Sequence, residues 1–360
     1  MSKRIFLSPP YVGKRERELV AQAFDSGYIA PCGPQVEEFE NALAKLAGRK
    51  CAVAVSSGTA ALDLLMDYYG VDGSWTVFAP TLTFVATVGP AFHRGAKLEF
   101  VDCDITGNID CALLDAALDK CTAAKKMVIP VDLYGRCADY GRIAEIAERH
   151  NAVLISDSAE AVGASCGYGA AGSTGAAAVY SFNGNKIVTT SSGGAILTDD
   201  DTLAAAVKSR SQQAREPYLW YEHRRVGYNY RLSNILAAVG LAQLEKLPEI
   251  LAKRSAIARH YRAMKADFLP EANGENHWLT VMLAQDQGER DAIISAFDQA
   301  NIETRPAWKP MHLQPVFAGC KVHGGDVAEG IFRRGVCLPS GTGLDAIDLK
   351  RIDEVLQNMI

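Results

Sequence analysis

The chain contains 360 residues, of which 48% are hydrophobic and 22% charged, and it carries a formal net charge of -5. These values are typical of a soluble globular protein, and they exclude an intrinsically disordered or collagen-like chain. Binding along a nucleic-acid backbone needs a concentrated Lys/Arg surface, which no run of this chain supplies. We therefore expect no nucleic-acid partner and favour a small ligand.

The cysteines and the N-terminus bear on where the protein works. Residues 1–16 start with basic side chains but contain no apolar run of signal-peptide length. The nine cysteines form no C-x-x-C pair, and an odd number in a chain of this size indicates buried thiols in a reducing compartment. The expectation is a cytoplasmic protein that does not contact a membrane and holds no structural zinc or other metal.

Apolar periodicity predicts helices over 15–24 and 36–46 and a third from Thr59. From about residue 50, short apolar runs alternate with helical stretches. The runs lie at 51–57, 76–80, 98–102, 127–135, 152–157, 177–182 and 195–198. Such alternation, with nearly continuous apolar strands, indicates a mostly parallel sheet covered by helices on both faces.

The last third of the chain has a different pattern. Helical patterns cover 232–247 and 250–269, and short strands then precede a final helix from Asp345. This pattern predicts a smaller α+β domain. We place residues 1–245, including an extended N-terminal segment, in a large domain and residues 246–360 in a small C-terminal domain.

Polar or glycine-rich clusters follow three of the predicted strands, and in an open α/β sheet the ligand site usually lies at such strand ends. In SSGTAAL (56–62), the backbone N–H groups of Gly58 and Thr59 at a helix start can hold a phosphate, although for this motif taken alone a plain strand–turn–helix connection is the commoner explanation. Asp157 ends a strand and could instead cap a helix. Lys186 ends SFNGNK, and a lysine buried after a strand either extends to solvent or is used chemically.

Pyridoxal 5'-phosphate (PLP) chemistry requires these three features together. A lysine amine forms the Schiff base, a carboxylate pairs with the protonated pyridine nitrogen, and a helix N-terminus holds the phosphate.

Another glycine-rich stretch, at Gly167, Gly169 and Gly172, satisfies G-x-G-x-x-G, but a predicted strand follows it instead of a helix. It is therefore predicted to be a loop and not a dinucleotide site.

Ten motifs occur in the same order as in one known family. They are YIAPCGPQVEEFE (28–40), SSGTAAL (56–62), PTLTFVAT (80–87), DLYG (132–135), SDSAEA (156–161), SFNGNK (181–186), SSGGAILT (191–198), GYNYRLSN (227–234), ETRPAWKPMH (303–312) and CLPSGTGL (337–344). On these motifs the chain resembles the fold type I sugar-nucleotide aminotransferases, the DegT/DnrJ group. The resemblance implies a PLP-dependent transferase with a mostly parallel seven-stranded sheet and a smaller C-terminal α+β domain.

The resemblance also implies roles for individual residues. Lys186 matches the catalytic Schiff-base lysine, which favours transamination over the dehydration carried out by relatives with histidine there. The remaining matched cofactor positions are Asp157 at the pyridine nitrogen, Glu160 near the cofactor hydroxyl, Phe84 on the ring, Ser181, Gly58 and Thr59 at the phosphate, and Asn229, which reaches the phosphate from the neighbouring subunit. A homodimer with shared active sites follows. Pyridoxamine 5'-phosphate is the expected intermediate form of the cofactor.

A narrower resemblance concerns the substrate. SFNGNKIVTTSSGG, QARE (213–216), YEH (221–223) and RPAWKPMH are similar to the 4-aminotransferases of the UDP-N-acetylbacillosamine pathway of glycan biosynthesis. This implies that L-glutamate supplies an amino group to UDP-2-acetamido-2,6-dideoxy-4-keto-glucose. A GDP-perosamine- or dTDP-amino-sugar-forming enzyme, a PLP dehydratase or epimerase, and a non-catalytic PLP-fold sugar-nucleotide binder remain alternatives.

Cations and an aromatic face for the pyrophosphate and the base are available in the later motifs. The candidates for substrate binding are Arg215, Arg231, Arg305, Trp308, Lys309 and His312. Arg231 and His312 are favoured among them. A solvated or structural side chain is the alternative for each, and for His312 a core histidine is a serious competitor.

Overall fold

A computed structural model describes residues 3–359 of the chain. The strands are β1 (Cys51–Val55), β2 (Trp75–Pro80), β3 (Lys97–Val101), β4 (Lys125–Val128), β5 (Val153–Asp157), β6 (Ser165–Cys166), β7 (Gly169–Ala170), β8 (Ala177–Ser181), β9 (Gly194–Thr198), β10 (Asp267–Phe268), β11 (Thr280–Leu283), β12 (Arg305–Pro306), β13 (Lys321–His323) and β14 (Gly335–Leu338). The helices are α1 (Lys14–Ser26), α2 (Pro34–Ala47), α3 (Gly58–Tyr69), α4 (Gly89–His93), α5 (Cys111–Asp119), α6 (Tyr140–Arg149), α7 (Asp201–Ser211), α8 (Asn234–Glu245), α9 (Leu247–Arg262), α10 (Gln287–Gln299), α11 (Asp326–Arg334) and α12 (Ala346–Gln357). Within residues 3–359, none of these helices is long and apolar enough to cross a membrane.

The main sheet has the strand order β1-β9-β8-β5-β4-β2-β3-β13. Strands β8, β5, β4, β2, β3 and β13 run parallel, and β9 pairs antiparallel with both β1 and β8. The predicted mostly parallel α/β fold is therefore confirmed, and every predicted apolar run contributes a strand. The eighth strand, β13, was not predicted, because three exposed or half-buried residues give no alternating pattern; Lys321 and His323 on it pair with Glu99 of β3.

The predicted helices over 15–24, 36–46 and from Thr59 correspond to α1, α2 and α3. The predicted helix over 250–269 is too long, because α9 ends at Arg262 and Phe268 pairs with Met282 in a second sheet. An apolar residue every three or four positions continues past the true helix end, so periodicity alone placed that end too late.

The second sheet, β10-β11-β14-β12, is antiparallel and packs with α10 and α11, and α12 packs against α10. The core beside it contains Phe297, Ile302 and Ile352, and also Ile5, which forms a β-bridge with Ile302. The N-terminal segment therefore contacts the C-terminal part of the chain, although the sequence suggested grouping it with residues 1–245. The boundary at 245/246, which falls between α8 and α9, stays a prediction.

The nine cysteines, all within the described residues, carry free thiols. The expectation that they are buried holds for Cys103, Cys111 and Cys337, whereas Cys32 is exposed and the others are partly exposed. The glycine-rich stretch at 167–172 lies at the β6–β7 hairpin and not at the start of a helix. The prediction of a loop is confirmed for residues 167–168 and 171–172, whereas Gly169 belongs to β7.

The topology brings several loops to one edge of the main sheet. Strands β2, β4, β5 and β8 are parallel, and β1 has the same direction as β8 because both are antiparallel to β9. The segments that follow their carboxyl ends therefore meet at this edge. Among these segments are 56–59, 81–87, 157–160 and 182–186.

Candidate active site

A cavity of about 840 Å³ lies at this edge. Segments from the N-terminal, central and C-terminal parts of the chain form its walls. The sequence-predicted residues that line it are Gly58, Thr59, Phe84, Asp157, Glu160, Ser181, Lys186, Arg305 and Trp308. Its size suits a small-molecule ligand or cofactor.

The Lys186 side chain lies inside the cavity and does not extend to solvent. Its side chain is 12% exposed, and its Nζ lies 3.3 Å from Glu160 Oε1. The same Nζ lies 3.8 Å from the centroid of the Trp278 ring, within cation–π range. The turn after β8 thus presents an amine to the cavity, and Glu160 and Trp278, from other parts of the chain, give this amine a carboxylate and an aromatic face.

The Asp157 carboxylate is buried at the carboxyl end of β5. Its Oδ2 accepts a hydrogen bond from Thr87 Oγ1 at 2.7 Å, and its Oδ1 accepts one from the Ala159 N–H at 3.2 Å. Burial raises the pKa of Asp157, and the Thr87 and Ala159 hydrogen bonds and the nearby Lys186 charge oppose that shift. Residues 158–164 form turns and not a helix, so the helix-capping alternative has no support.

Glu160 is a second buried carboxylate in the cavity wall. Its Oε2 accepts a hydrogen bond from the Tyr134 N–H at 2.7 Å, and its Oε1 faces Lys186. Burial raises the pKa of Glu160 to about 7, even though the Lys186 charge acts in the opposite direction. A carboxyl group with such a pKa can exchange a proton near neutrality.

The start of α3 forms another part of the cavity wall. Ser57 caps this helix by accepting a hydrogen bond from the Ala60 N–H at 3.0 Å, so the first turn begins at Gly58 and Thr59. The N–H groups of a first turn lack helical acceptors and attract anions. A Cβ at Gly58 would lie 3.2 Å from the Ser181 Cβ, and one at Gly194 would lie 2.5 Å from the Gly58 nitrogen. This close packing brings the Ser181 side chain beside the helix start.

Aromatic side chains form one wall of the cavity. Phe84 is 57% exposed, and its ring centroid lies 5.7 Å from that of Trp308. The Trp308 ring packs edge-on against the Tyr134 ring at 5.5 Å, and the Trp308 backbone N–H donates to the Tyr134 hydroxyl at 2.9 Å. Trp278 completes the wall beside Tyr134 and Trp308. These faces can hold a flat ring or a sugar.

Arg231 and His312 do not lie in the cavity, and the expectation that they bind substrate is withdrawn. The Arg231 side chain is 3% exposed and pairs with Glu40 at 2.5 Å. His312 Nδ1 lies 2.6 Å from Thr81 Oγ1, and its Nε2 lies 3.2 Å from Glu329 Oε1. Both groups are held by partners distant in sequence, so they act as structural side chains.

The remaining candidates lie on the surface of this chain. Arg215 and Asn229 belong to a mostly exposed segment at 212–230, which we call the 212–230 excursion. In this segment the Arg215 guanidinium carbon lies 4.5 Å from the centroid of the Tyr221 ring. Lys309 is exposed as well. The excursion also exposes apolar side chains, including a fully exposed Leu219. These residues therefore face solvent or another molecule and not the cavity of their own chain.

Sequence reasoning did not single out several side chains of the site. Thr87 had a signal, since it ends the PTLTFVAT motif, and Glu303 begins ETRPAWKPMH. Asn185 also had a signal, since it lies in the SFNGNK motif. Trp278 and the cavity-lining N-terminal residues 6–10 had none that could be recognised. Their roles depend on contacts between distant parts of the chain.

The geometry fits PLP, because an amine, a buried carboxylate, an anion-binding helix start and an aromatic wall surround one cavity. The sequence profile of the DegT/DnrJ/EryC1/StrS aminotransferase family matches residues 10–357. The chain belongs to this family. It is a PLP-dependent aminotransferase with the fold type I architecture.

Individual relatives agree with this family assignment. The enzyme is 38% identical to EpsN of Bacillus subtilis (strain 168), which is named provisionally as a pyridoxal phosphate-dependent aminotransferase, over 100% of this chain and 96% of EpsN. It is 37% identical to the GDP-perosamine synthase of Caulobacter vibrioides, over 99% of this chain and 98% of that protein. A crystal structure of a DegT/DnrJ/EryC1/StrS aminotransferase from Brucella abortus superposes with a TM-score of 0.89 at 29% identity, covering 96% and 95% of the two chains.

Proposed function

We propose that the enzyme transfers the amino group of L-glutamate to C4 of a nucleotide-linked 4-keto-6-deoxy sugar. The observation that carries this proposal is the meeting of the Lys186 amine, the Asp157 carboxylate and the start of α3 in one cavity. The proposed substrate is UDP-2-acetamido-2,6-dideoxy-4-keto-glucose, and the product is UDP-4-amino-4,6-dideoxy-N-acetylglucosamine. The choice of this sugar rests on the SFNGNKIVTTSSGG, QARE, YEH and RPAWKPMH motifs.

Lys186 is the proposed catalytic residue. When bound, PLP supplies an electron sink for the carbon that loses its proton. Lys186 would anchor the cofactor covalently, and its freed Nζ would take the α-proton of glutamate and later deliver a proton to C4 of the sugar. The Glu160 carboxylate, 3.3 Å from Nζ, keeps this amine inside the cavity between the two half-reactions.

The other cofactor contacts follow from the walls of the cavity. Asp157 would hold a proton on the pyridine nitrogen, because its buried carboxylate is rigidly oriented by Thr87 and Ala159. The first turn of α3 and the Ser181 hydroxyl would hold the phosphate, and Phe84 would cover the ring.

Arg305 is the substrate-binding candidate best placed for an anion. It lines the cavity, its side chain is 67% exposed, and its Nη2 donates to Glu303 Oε1 at 2.8 Å. An exposed ion pair is weak, so the guanidinium can exchange Glu303 for a donor carboxylate or a pyrophosphate. Trp308 would supply an apolar face, while Arg215 and Lys309 could act only from the surface.

A GDP-linked sugar is the second candidate substrate class. The 37% identity with the Caulobacter vibrioides GDP-perosamine synthase over nearly the whole of both chains favours it. The decisive experiment is a panel of UDP-, dTDP- and GDP-linked 4-keto-6-deoxy sugars, each offered with glutamate and followed by mass spectrometry. Amination of the UDP sugar at the highest kcat/KM supports the proposal, and preferential amination of the GDP sugar replaces it with the alternative.

A homodimer with shared sites is part of the proposal. Asn229 is exposed in the 212–230 excursion and does not line the cavity of its own chain, and we propose that it contacts the phosphate site of a partner. Inactive Lys186→Ala chains refolded together with weakened Asn229→Ala chains should form some dimers with one intact site. Activity above that of either parent supports sharing. A mixed dimer without any recovery would place both residues in the same site.

A further inference from the structure

The carbonyl of Asn185, immediately before Lys186, accepts two hydrogen bonds from distant parts of the chain. Ser8 Oγ donates to it at 2.8 Å, and the indole Nε1 of Trp278 donates at 2.7 Å. The buried Arg254 joins these donors, because its Nη2 donates to Ser8 Oγ at 3.0 Å and its Nη1 donates to the Trp278 carbonyl at 2.8 Å. We call these four residues the Asn185 clamp.

Trp278 contacts both ends of the neighbouring lysine. Its indole N–H fixes the backbone just before Lys186, while its ring face lies 3.8 Å from Nζ at the tip of the side chain. The indole is 3% exposed, so water competes little with either contact. One side chain therefore contacts both the backbone just before Lys186 and the amine at the tip of that lysine.

The segment that carries Trp278 is itself firmly attached to the cavity wall. Asn276 Oδ1 accepts a hydrogen bond from the Trp278 backbone N–H at 2.9 Å, and Asn276 Nδ2 donates to the Glu160 backbone carbonyl at 2.8 Å. Gly135, at φ +100°, makes this approach possible, because a Cβ there would lie 1.9 Å from Asn276 Oδ1. The indole position is thus tied to the same loop that positions the Glu160 carboxylate.

We propose that Trp278 is a positioning residue for Lys186, holding the amine for cofactor capture through the Asn185 carbonyl and the indole face. This rests on the proposed role of Lys186 as the covalent anchor. Without the indole, the amine has more orientations available and the backbone before it loses a donor. Cofactor capture then slows, while the uncovered amine becomes easier for a small reagent to reach.

The test uses full-length protein from which the cofactor has been removed. The rate of PLP capture is followed by visible absorbance, and borohydride reduction with peptide mass analysis locates the linkage. Separately, the acetylation rate of Lys186 by acetic anhydride is measured without cofactor. Trp278→Leu removes both contacts, Trp278→Phe keeps a ring but removes the N–H, and Trp75→Phe is the matched control. Trp75 is a buried indole whose ring lies 5.8 Å from Lys125 Nζ, away from the cavity.

For Trp278→Leu we expect capture to slow about tenfold and acetylation of Lys186 to accelerate severalfold, from the loss of one buried hydrogen bond and one cation–π contact. Trp278→Phe should show a smaller slowing of capture with near-normal acetylation, and Trp75→Phe should change neither. PLP capture at the wild-type rate in Trp278→Leu overturns the proposal. A slowing of both PLP capture and Lys186 acetylation in Trp278→Leu also overturns it, and so does a slowing of PLP capture in the control Trp75→Phe. A wild-type linkage on a residue other than Lys186 would instead refute the role of Lys186 itself.

Discussion

Replacing Asp157 by asparagine tests the electrostatic centre of the proposed mechanism. The amide has the shape of the carboxylate but no charge, so the pyridine nitrogen of the cofactor loses the anion that keeps it protonated. Removing one member of a buried ion pair costs about 3–5 kcal/mol. At 1.36 kcal/mol per factor of ten, kcat should fall by roughly a thousandfold, within about one order of magnitude.

The local structure should tolerate this change. Thr87 Oγ1 donates to Asp157 Oδ2 and lies 2.8 Å from Thr83 Oγ1, and a hydroxyl can rotate to accept from an amide and donate to its neighbour. Since burial raises the pKa of Asp157, losing the charge should not lower the unfolding temperature of the cofactor-free protein. The variant should therefore remain folded and bind PLP.

The assay is single-turnover conversion of bound PLP to pyridoxamine 5'-phosphate by glutamate, followed by absorbance, beside thermal unfolding. Asp132→Asn is the matched control, because Asp132 is also a fully buried carboxylate at a neighbouring strand end but does not line the cavity. Its kcat should stay close to that of the wild type. If Asp157→Asn retained a near-normal rate, the pyridinium role would be wrong.

Three further predictions concern the anchor, the phosphate end and a buried carboxyl group. Lys186→Ala and Lys186→Arg should abolish turnover and leave no borohydride-trapped linkage while the circular dichroism stays native; transamination beyond a trace rescued by added amines would refute the assignment. Gly194→Ala should weaken PLP retention at least tenfold, because a Cβ there would lie 2.5 Å from the backbone at the start of α3. Gly330→Ala is the control, because the space around its Cβ is open, and it should retain PLP normally. Equal retention of PLP by the two variants in equilibrium dialysis would contradict this prediction. Burial raises the pKa of Asp132 to about 7, so this carboxyl group keeps a proton in the folded protein that it releases in the unfolded chain. The free energy of unfolding of the wild type therefore decreases as the pH rises from about 4 to about 7. The unfolding temperature of Asp132→Asn relative to the wild type should accordingly rise between about pH 4 and about pH 7, and a constant difference would show that the carboxyl is not perturbed.

The sequence alone identified the family, the apolar runs along the chain that form strands of the large sheet, and the three polar or glycine-rich clusters that follow such strands. An apolar strand ends at or just before each of these clusters, which contain Asp157, Lys186 and the SSGTAAL turn. Parallel strands run in the same direction, so their carboxyl ends lie at one edge of the sheet. Local pattern was sufficient because each of these residues lies within a few positions of the strand that places it. Phe84 and Ser181, which also line the cavity, were indicated only by the resemblance to the family.

The tertiary structure decided which of the later cations belong to the site. Arg231 is paired with Glu40, 191 positions away, and His312 with Thr81, 231 positions away, so their charges and hydrogen bonds are used in the interior. Trp278 reaches Asn185 across 93 positions and enters the cavity without any local motif. The packing of distant elements determines which partner a side chain has in the folded chain. The local sequence around a single arginine, histidine or tryptophan does not indicate how distant elements pack, so it could not predict these partners.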